Sequence, residues 1–210
     1  MYISGFIAFL ILIILILLRP LIIKHSKPAL VCILVCLVSI QINRTADIHR
    51  IKTSNELVVF NSNKKSLIGL RNGQMAYFFT SESVDSSKTN EYIIRPYLIK
   101  NRIKKYSILP IDTTFNTPYI TKTKHVLYVN NTSFFLGENL MKIPQDLDYL
   151  IIRNSSLEPK NIFPLQQIKR VIADGSNYPN YLLQLDDLFK KQSDSVYWSI
   201  PEKGYFNIIF

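Results

Sequence analysis

Few residues in this chain are of the types and spacings that do chemistry. The three histidines, His25, His49 and His125, are scattered, and none has a neighbour at metal-ligand spacing. Each reads as a surface or boundary residue. Asp146/Asp148 and Asp186/Asp187 are carboxylate pairs, but one falls in a loop and the other on a helix face, where solvation is the default. Asp174 follows an apolar run and is the best-placed lone acid. Its side chain is expected to cap the turn that follows, by accepting from nearby backbone amides. With only six glycines, no phosphate-cradling loop forms, and no Gly-x-Ser-x-Gly elbow occurs. No catalytic, cofactor-binding or metal-binding residue is assigned.

One feature carries functional content. From Arg95 to Lys124 there are seven basic residues (Arg95, Lys100, Arg102, Lys104, Lys105, Lys122 and Lys124) against one acid, Asp112. Tyr92, Tyr97, Tyr106, Phe115 and Tyr119 lie among them or beside them. Positive charge tracks phosphates and aromatic faces stack bases, so this stretch is a candidate DNA contact. A solvated basic face has the same composition. The charge is also asymmetric: the whole chain carries a formal +10, while residues 137–210 hold eight bases and nine acids. An anionic partner for one surface follows, nucleic acid or lipid headgroups.

The elements that position this stretch read as α+β. Residues 57–60, 66–70 and 75–79 alternate as three antiparallel strands, with Asn72-Gly73 as a hairpin signal. Residues 81–90 are polar and suit a turn and a helix start. Residues 91–105 look helical in part, interrupted at Arg95-Pro96 because proline biases its predecessor away from helix. Strands are expected at 125–129 and 133–136, joined through Asn130-Asn131, and at 149–152 and 170–173. Residues 179–191 form an amphipathic helix with Leu182, Leu185, Leu188 and Phe189 on one stripe. Residues 196–198, a turn at 201–204, and residues 206–210 close the chain.

The N-terminal part is different in kind. Residues 1–18 contain no charge, and neither do residues 28–43. Two membrane helices joined by a short basic loop are therefore expected, the second only fourteen apolar residues long (29–42) and short for a ~30 Å hydrocarbon core. A signal peptide is the rival for the first, but a basic n-region and a small-residue cleavage site are missing. Cys32 and Cys36 share a face of the second helix and read as small packing residues. The flanking cations Arg19, Lys24 and Lys27 on one side and Arg44, Arg50 and Lys52 on the other nearly tie the positive-inside rule. The domains expected are a two-helix transmembrane segment (1–43), a juxtamembrane linker (44–56) and a soluble domain (57–210).

The order of elements resembles the C-terminal part of ComEC-type competence proteins, membrane channels that import DNA during natural transformation. Val58-Val59-Phe60-Asn61, residues 66–70 and residues 75–79 sit where that family has its first hairpin strands. Ser62-Asn63-Lys64-Lys65 stands in place of a Gly-Gln-Gly-Asp turn. Ser133-Phe134-Phe135-Leu136-Gly137-Glu138 resembles a later strand ending in Gly-Asp. Leu147-Asp148-Tyr149-Leu150-Ile151-Ile152 resembles the strand leading to His-His-Gly-Ser, where this chain reads Arg153-Asn154-Ser155-Ser156. Arg170-Val171-Ile172-Ala173-Asp174-Gly175-Ser176-Asn177, a proline, a helix and Pro201-Glu202-Lys203-Gly204 follow the closing strand–helix–strand unit.

The resemblance implies a metallo-β-lactamase fold for the soluble domain. The His-x-His-x-Asp-His cluster that holds metal in active members has no counterpart, so the implied domain is degenerate and not an enzyme. It also implies a multi-pass inner-membrane location, the soluble domain on the non-cytoplasmic side, and a polytopic channel subunit or the rest of the family's bundle as partner. Three readings stay open: a non-catalytic DNA-uptake component, an accessory or truncated interaction module without DNA contact, and a residual nuclease with relocated ligands.

Overall fold

The computed structural model describes residues 5–24, 27–81, 89–137, 147–158, 168–190 and 196–210. His25, Glu138, Asp146 and Lys191 lie outside the described residues, as does most of the polar stretch 81–90. The chain divides into two units, Met1–Thr53 and Ser54–Phe210.

The first unit is a pair of helices, α1 (Gly5–Lys24) and α2 (Lys27–Thr53), packed on each other with Leu10 and Ala29 buried. Most of their other apolar side chains are exposed, including Phe9, Leu15, Ile16, Leu34 and Ile42. Two expectations change. Among the described residues, only α2 is long and apolar enough to cross a membrane; the apolar stretch described in α1, Phe6–Pro20, spans ~22 Å. And α2 is not short, since it continues through the expected linker to Thr53. Residues 43–53 contain no glycine or proline. Thr45 and Thr53 donate their hydroxyls to the carbonyls of Gln41 (2.9 Å) and His49 (3.0 Å), satisfying themselves within the helix.

The second unit stacks two mixed sheets. The first has the order β12-β1-β2-β3-β4 and the second β11-β10-β9-β8-β7-β6-β5. In the first, β1 (Asn55–Val59), β2 (Leu67–Asn72) and β3 (Met75–Thr80) are the three antiparallel strands expected. The hairpin pairs Asn72 with Met75, so Gly73-Gln74 is the two-residue loop, one position later than Asn72-Gly73. Gly73 supplies the positive φ of 57° that the first loop position demands.

A short π-helical turn (Asn90–Ile94) and α3 (Arg95–Lys100) cross over to β4 (Lys105–Pro110), which runs parallel to β3. Sequence patterning extended that helix to residue 105. Helix in fact stops at Lys100, and Arg102 takes a left-handed φ of 50° before β4 begins.

The second sheet starts with β5 (Phe115–Thr117), β6 (Ile120–Lys122), β7 (Val126–Val129) and β8 (Thr132–Gly137), all antiparallel. It continues in parallel through β9 (Tyr149–Ile152), β10 (Arg170–Ala173) and β11 (Tyr197–Ser199). Helix α4 (Pro179–Lys190) connects β10 to β11, and a four-residue helix α5 (Ile200–Lys203) leads to β12 (Phe206–Ile209). That last strand joins the first sheet beside β1.

Alternation along the strands sets three apolar layers. Leu57, Val59, Ile68, Leu70 and Phe79 of the first sheet meet Leu127, Phe134, Leu136, Ile151 and Ile172 of the second between the sheets. Val58, Leu67 and Phe78 face outward against Ile94, Tyr97 and Leu98. Leu150, Ile152, Val171 and Ala173 face outward against Tyr181, Leu182, Leu185 and Phe189 of α4; of the stripe read from the sequence, Leu188 is only half-buried, and Tyr181 packs with the others instead. The result is four layers, helix–sheet–sheet–helix, and a mixed α+β fold.

Candidate nucleic-acid interface

The cations of the basic stretch are positioned by a polar clamp beneath α3. Glu56 and Arg71 are directly paired across β1 and β2 on the sheet's outer face. Arg71 donates through Nη1 to Glu56 Oε1 (3.1 Å) and Asn101 Oδ1 (2.8 Å), and through Nε to the Gly73 carbonyl (2.9 Å). The Tyr97 hydroxyl donates to the same Glu56 oxygen at 2.7 Å. Burial, and then the Glu56 carboxylate beside it, push the Tyr97 phenol well above its usual pKa, so it stays a neutral donor. Phe60 meets the Tyr97 ring edge-on at 5.1 Å. A buried arginine–carboxylate pair with a tyrosine and an asparagine completing its bonds fixes α3, and Asn101 is the residue that ends it.

From that clamp the chain turns sharply. Ile103 N donates to the Leu98 carbonyl (3.0 Å) and Lys104 N to the Gln74 carbonyl (2.9 Å). Arg95 and Lys100 on α3, Arg102 and Lys104 on the turn that follows, and Lys105 at the start of β4, an edge strand, are all exposed. Tyr92 (73 % exposed) and Tyr106 (47 %) present ring surface near them. Of the other aromatics, Tyr97 is held in the clamp, and Phe115 packs against Tyr77 at 4.6 Å and Phe79 at 6.1 Å, so neither offers a face to a base.

Two members of the predicted set lie elsewhere. Lys124 is exposed, but on the turn between β6 and β7 of the second sheet. Lys122 is 1 % exposed and points into the protein. Its ammonium donates to the carbonyls of Ile111, Thr113 (3.0 Å) and Thr123 (3.2 Å), and lies 5.2 Å from the Phe79 ring centre. Burial lowers its pKa to about 8, with Asp112 opposing and the Arg153 charge assisting. Lys122 alternates inward with Ile120, so strand parity turns it away from any phosphate. Five of the seven cations therefore remain together as a candidate contact surface.

A second polar cluster sits at the carboxyl ends of the parallel strands, a common place for ligand sites in such sheets. Ile152 pairs with Ala173, so the next residues, Arg153 and Asp174, are neighbours, and both are buried. Asp174 Oδ1 accepts from Ser176 N (2.9 Å), the Ser176 hydroxyl and Asn177 Nδ2 (3.2 Å), the turn cap expected from sequence. Burial raises the Asp174 pKa, against the hydrogen bonds from Ser176 and the Arg153 charge.

The loop carrying Arg153 is bound to the loop carrying Asp174. Asn154 and Ser155 both adopt φ near 51°, which costs backbone strain. Asn154 N donates to Ser176 Oγ (2.9 Å), Ser155 N to Asn177 Oδ1 (2.8 Å) and Tyr178 N to Ser155 Oγ (2.9 Å). Gly175 lies so close to the backbone of Ser62 that a Cβ there would sit 2.1 Å from its carbonyl oxygen. Among the described residues, no group of three or more His, Cys, Asp or Glu side chains comes together.

The clamp residues Glu56, Arg71 and Asn101 escaped sequence reasoning. The one available signal was a lone acid and a lone base just outside two expected strands, Glu56 before residues 57–60 and Arg71 after residues 66–70, which only the hairpin register brings opposite each other. Comparison with known proteins gives one result: the family model described as the ComEC C-terminal domain matches residues 57–210. No curated protein and no solved structure matches.

Proposed function

Since the chain belongs to the ComEC family of DNA-uptake competence proteins, we propose that it is a membrane-anchored, non-catalytic uptake component that contacts DNA through Arg95, Lys100, Arg102, Lys104 and Lys105. The observation that carries this reading is the exposure of all five cations along α3, the turn that follows and one sheet edge, in a domain of a DNA-uptake family. Arg95, Lys100 and Lys105 are carried on the clamped helix and strand, which hold phosphate contacts in register, and the turn bearing Arg102 and Lys104 is tied back by the bond from Lys104 N to the Gln74 carbonyl.

The absence of catalysis is part of the proposal. Metal-assisted phosphodiester cleavage needs ligands that hold a cation and free an attacking water. At the strand ends, the residues present do not fit a metal. Arg153 brings positive charge beside Asp174, and one carboxylate oxygen is taken up by Ser176 and Asn177. The helix–sheet–sheet–helix layering supports a degenerate metallo-β-lactamase-like arrangement. The exposed apolar side chains of α1 and α2 support a membrane location and packing against a polytopic channel subunit; multi-pass insertion in the inner membrane, with the soluble unit on the non-cytoplasmic side, is proposed from the family alone. Those side chains equally favour a second reading, an interaction module that packs on such a subunit without touching DNA.

The test measures DNA affinity of the full chain in detergent across a salt series. Changing Lys100, Arg102, Lys104 and Lys105 together to glutamine should lower the slope of log K against log salt by about 3, roughly 0.7–0.9 for each phosphate no longer neutralised. An unchanged slope and affinity would remove the DNA contact and leave the interaction module. No cleavage is expected with added divalent metals; cleavage would restore the nuclease reading.

A further inference from the structure

Sheet order leaves one concave site that the cationic edge does not include. Pro118, Tyr119, Thr121, Tyr128, Asn130 and Asn131, with Thr132 and Phe210, line a pocket of about 540 Å³. That volume is in the range of small-molecule sites. We propose that this pocket stacks an unpaired nucleobase between or upon Tyr119 and Tyr128, with the Asn130 and Asn131 amides bonding the base edge. The proposal rests on the DNA reading above and gives it a second, uncharged contact.

Strand parity builds the site. Ile120, Leu127 and Val129 turn into the inter-sheet core, so Tyr128 and its partner Thr121 turn outward. Asn130 N donates to the Tyr119 carbonyl (3.1 Å), placing Tyr119 opposite Asn130 and diagonal to Tyr128. Diagonal neighbours stand roughly 7–8 Å apart, within reach of one planar ring. Helix α4 covers the outward face at β8 to β10 through Phe135, Leu150 and Val171, and its contacts do not extend to Tyr119 or Tyr128. Those two rings are 60 % and 48 % exposed, although each is large and apolar.

The lining chemistry selects the ligand. It holds two phenols, two amides and two threonine hydroxyls, and no acidic or basic side chain. Such a wall suits an uncharged ring with donors and acceptors on its edge, and base–aromatic stacking is tolerant of sequence. Placement selects it further. Phe210 N donates to the Asn55 carbonyl (2.8 Å), Gly73 N to that of Ser54 (3.0 Å) and Lys104 N to that of Gln74 (2.9 Å). The end of β12, the start of β1, the β2–β3 turn and the start of β4 therefore line one end of the sandwich. Phe210, one wall of the pocket, lies at the β12 side of that end and Lys104 and Lys105 at the β4 side, four strand spacings or about 19 Å from it. One strand of nucleic acid can meet both.

The experiment compares a 15-nucleotide oligothymidine with an abasic strand of equal phosphate number, using the full chain in detergent. Oligothymidine should bind about fivefold tighter or more, the effect of stacking a single base. Tyr119→Ala with Tyr128→Ala should abolish that preference and leave the salt slope unchanged, while Tyr119→Phe with Tyr128→Phe should keep it. The quadruple glutamine variant should weaken both strands alike. Equal binding of the two strands by the unaltered protein overturns the pocket proposal and spares the DNA reading. If neither strand binds, the DNA reading fails, and the pocket proposal survives only if free thymidine quenches tyrosine fluorescence in the unaltered protein and not in the alanine pair. Quenching by N-acetylglucosamine in place of thymidine makes this a sugar site and overturns the proposal.

Discussion

Raising the pH from 7.5 to 9.5 should stabilise the folded chain through Lys122 alone. The Lys122 amine titrates near pH 8 when folded, against 10.5 for an ordinary lysine. Between those values the unfolded chain holds more protons than the folded one, so stability rises with pH across that window. A shift of this size corresponds to at most about 3 kcal/mol, of which about 2 kcal/mol is reached by pH 9.5. Other lysines and the tyrosines also titrate in this range, so the comparison needs a reference chain that lacks only this group. Lys122→Met supplies it, because methionine fills a similar volume without an ionisable end. Thermal unfolding of both chains in the same detergent should show the difference between them shifting toward the unaltered protein by about 4–8 °C from pH 7.5 to 9.5. A difference that stays flat would mean that the three carbonyls hold the ammonium charged despite its burial, and the reasoning from desolvation would be wrong.

Arg71→Met should lower stability by about 3 kcal/mol or more, since Glu56 would keep a buried charge with only Tyr97 to bond it. Adding Glu56→Leu to that variant should recover part of the loss, and calorimetry on the single and double variants checks this. Gly175→Ala should cost about 2–4 kcal/mol, because its Cβ would collide with the Ser62 carbonyl rather than with a movable side-chain tip. A melting temperature within a degree of the unaltered chain would show that the two loops slide apart freely.

Strands buried on both faces were legible in the sequence as short apolar runs: residues 57–60, 66–70, 75–79, 149–152 and 170–173 all fall on strands, with small shifts at the ends. Helix α4 was legible because Leu182, Leu185, Leu188 and Phe189 repeat at helical spacing, although Leu188 sits at the margin of the buried stripe and is only half-buried. Strand β4 was not, because its residues are exposed or only half-buried and so show no alternation. Short strands β5 and β6 hid among threonines and a proline for a related reason. Parallel pairing of β3 with β4 depends on a crossover, which local pattern does not encode. The length of α2 was missed because apolar composition marks the stretch suited to lipid, whereas helix continues wherever backbone bonds can. At the candidate interface, composition found the cations but could not separate Lys122 from its neighbours. That distinction needs the parity of a three-residue strand.

The pairing of β12 with β1 ties Val59 to Phe206 across nearly the whole length of the soluble unit. During synthesis, β1 emerges early and can form its hairpin with β2, but its other edge has no partner until the last strand has left the ribosome. Contacts between such distant stretches form slowly, so closure of the first sheet is expected to be a late folding event. Until then, one side of β1 presents unpaired amides and carbonyls beside Leu57 and Val59, an invitation to pair with another chain. A chain interrupted before residue 206 would keep that edge permanently and so be prone to aggregate or be degraded. Pairing of β12 with β1 thus removes the exposed edge on that side of β1.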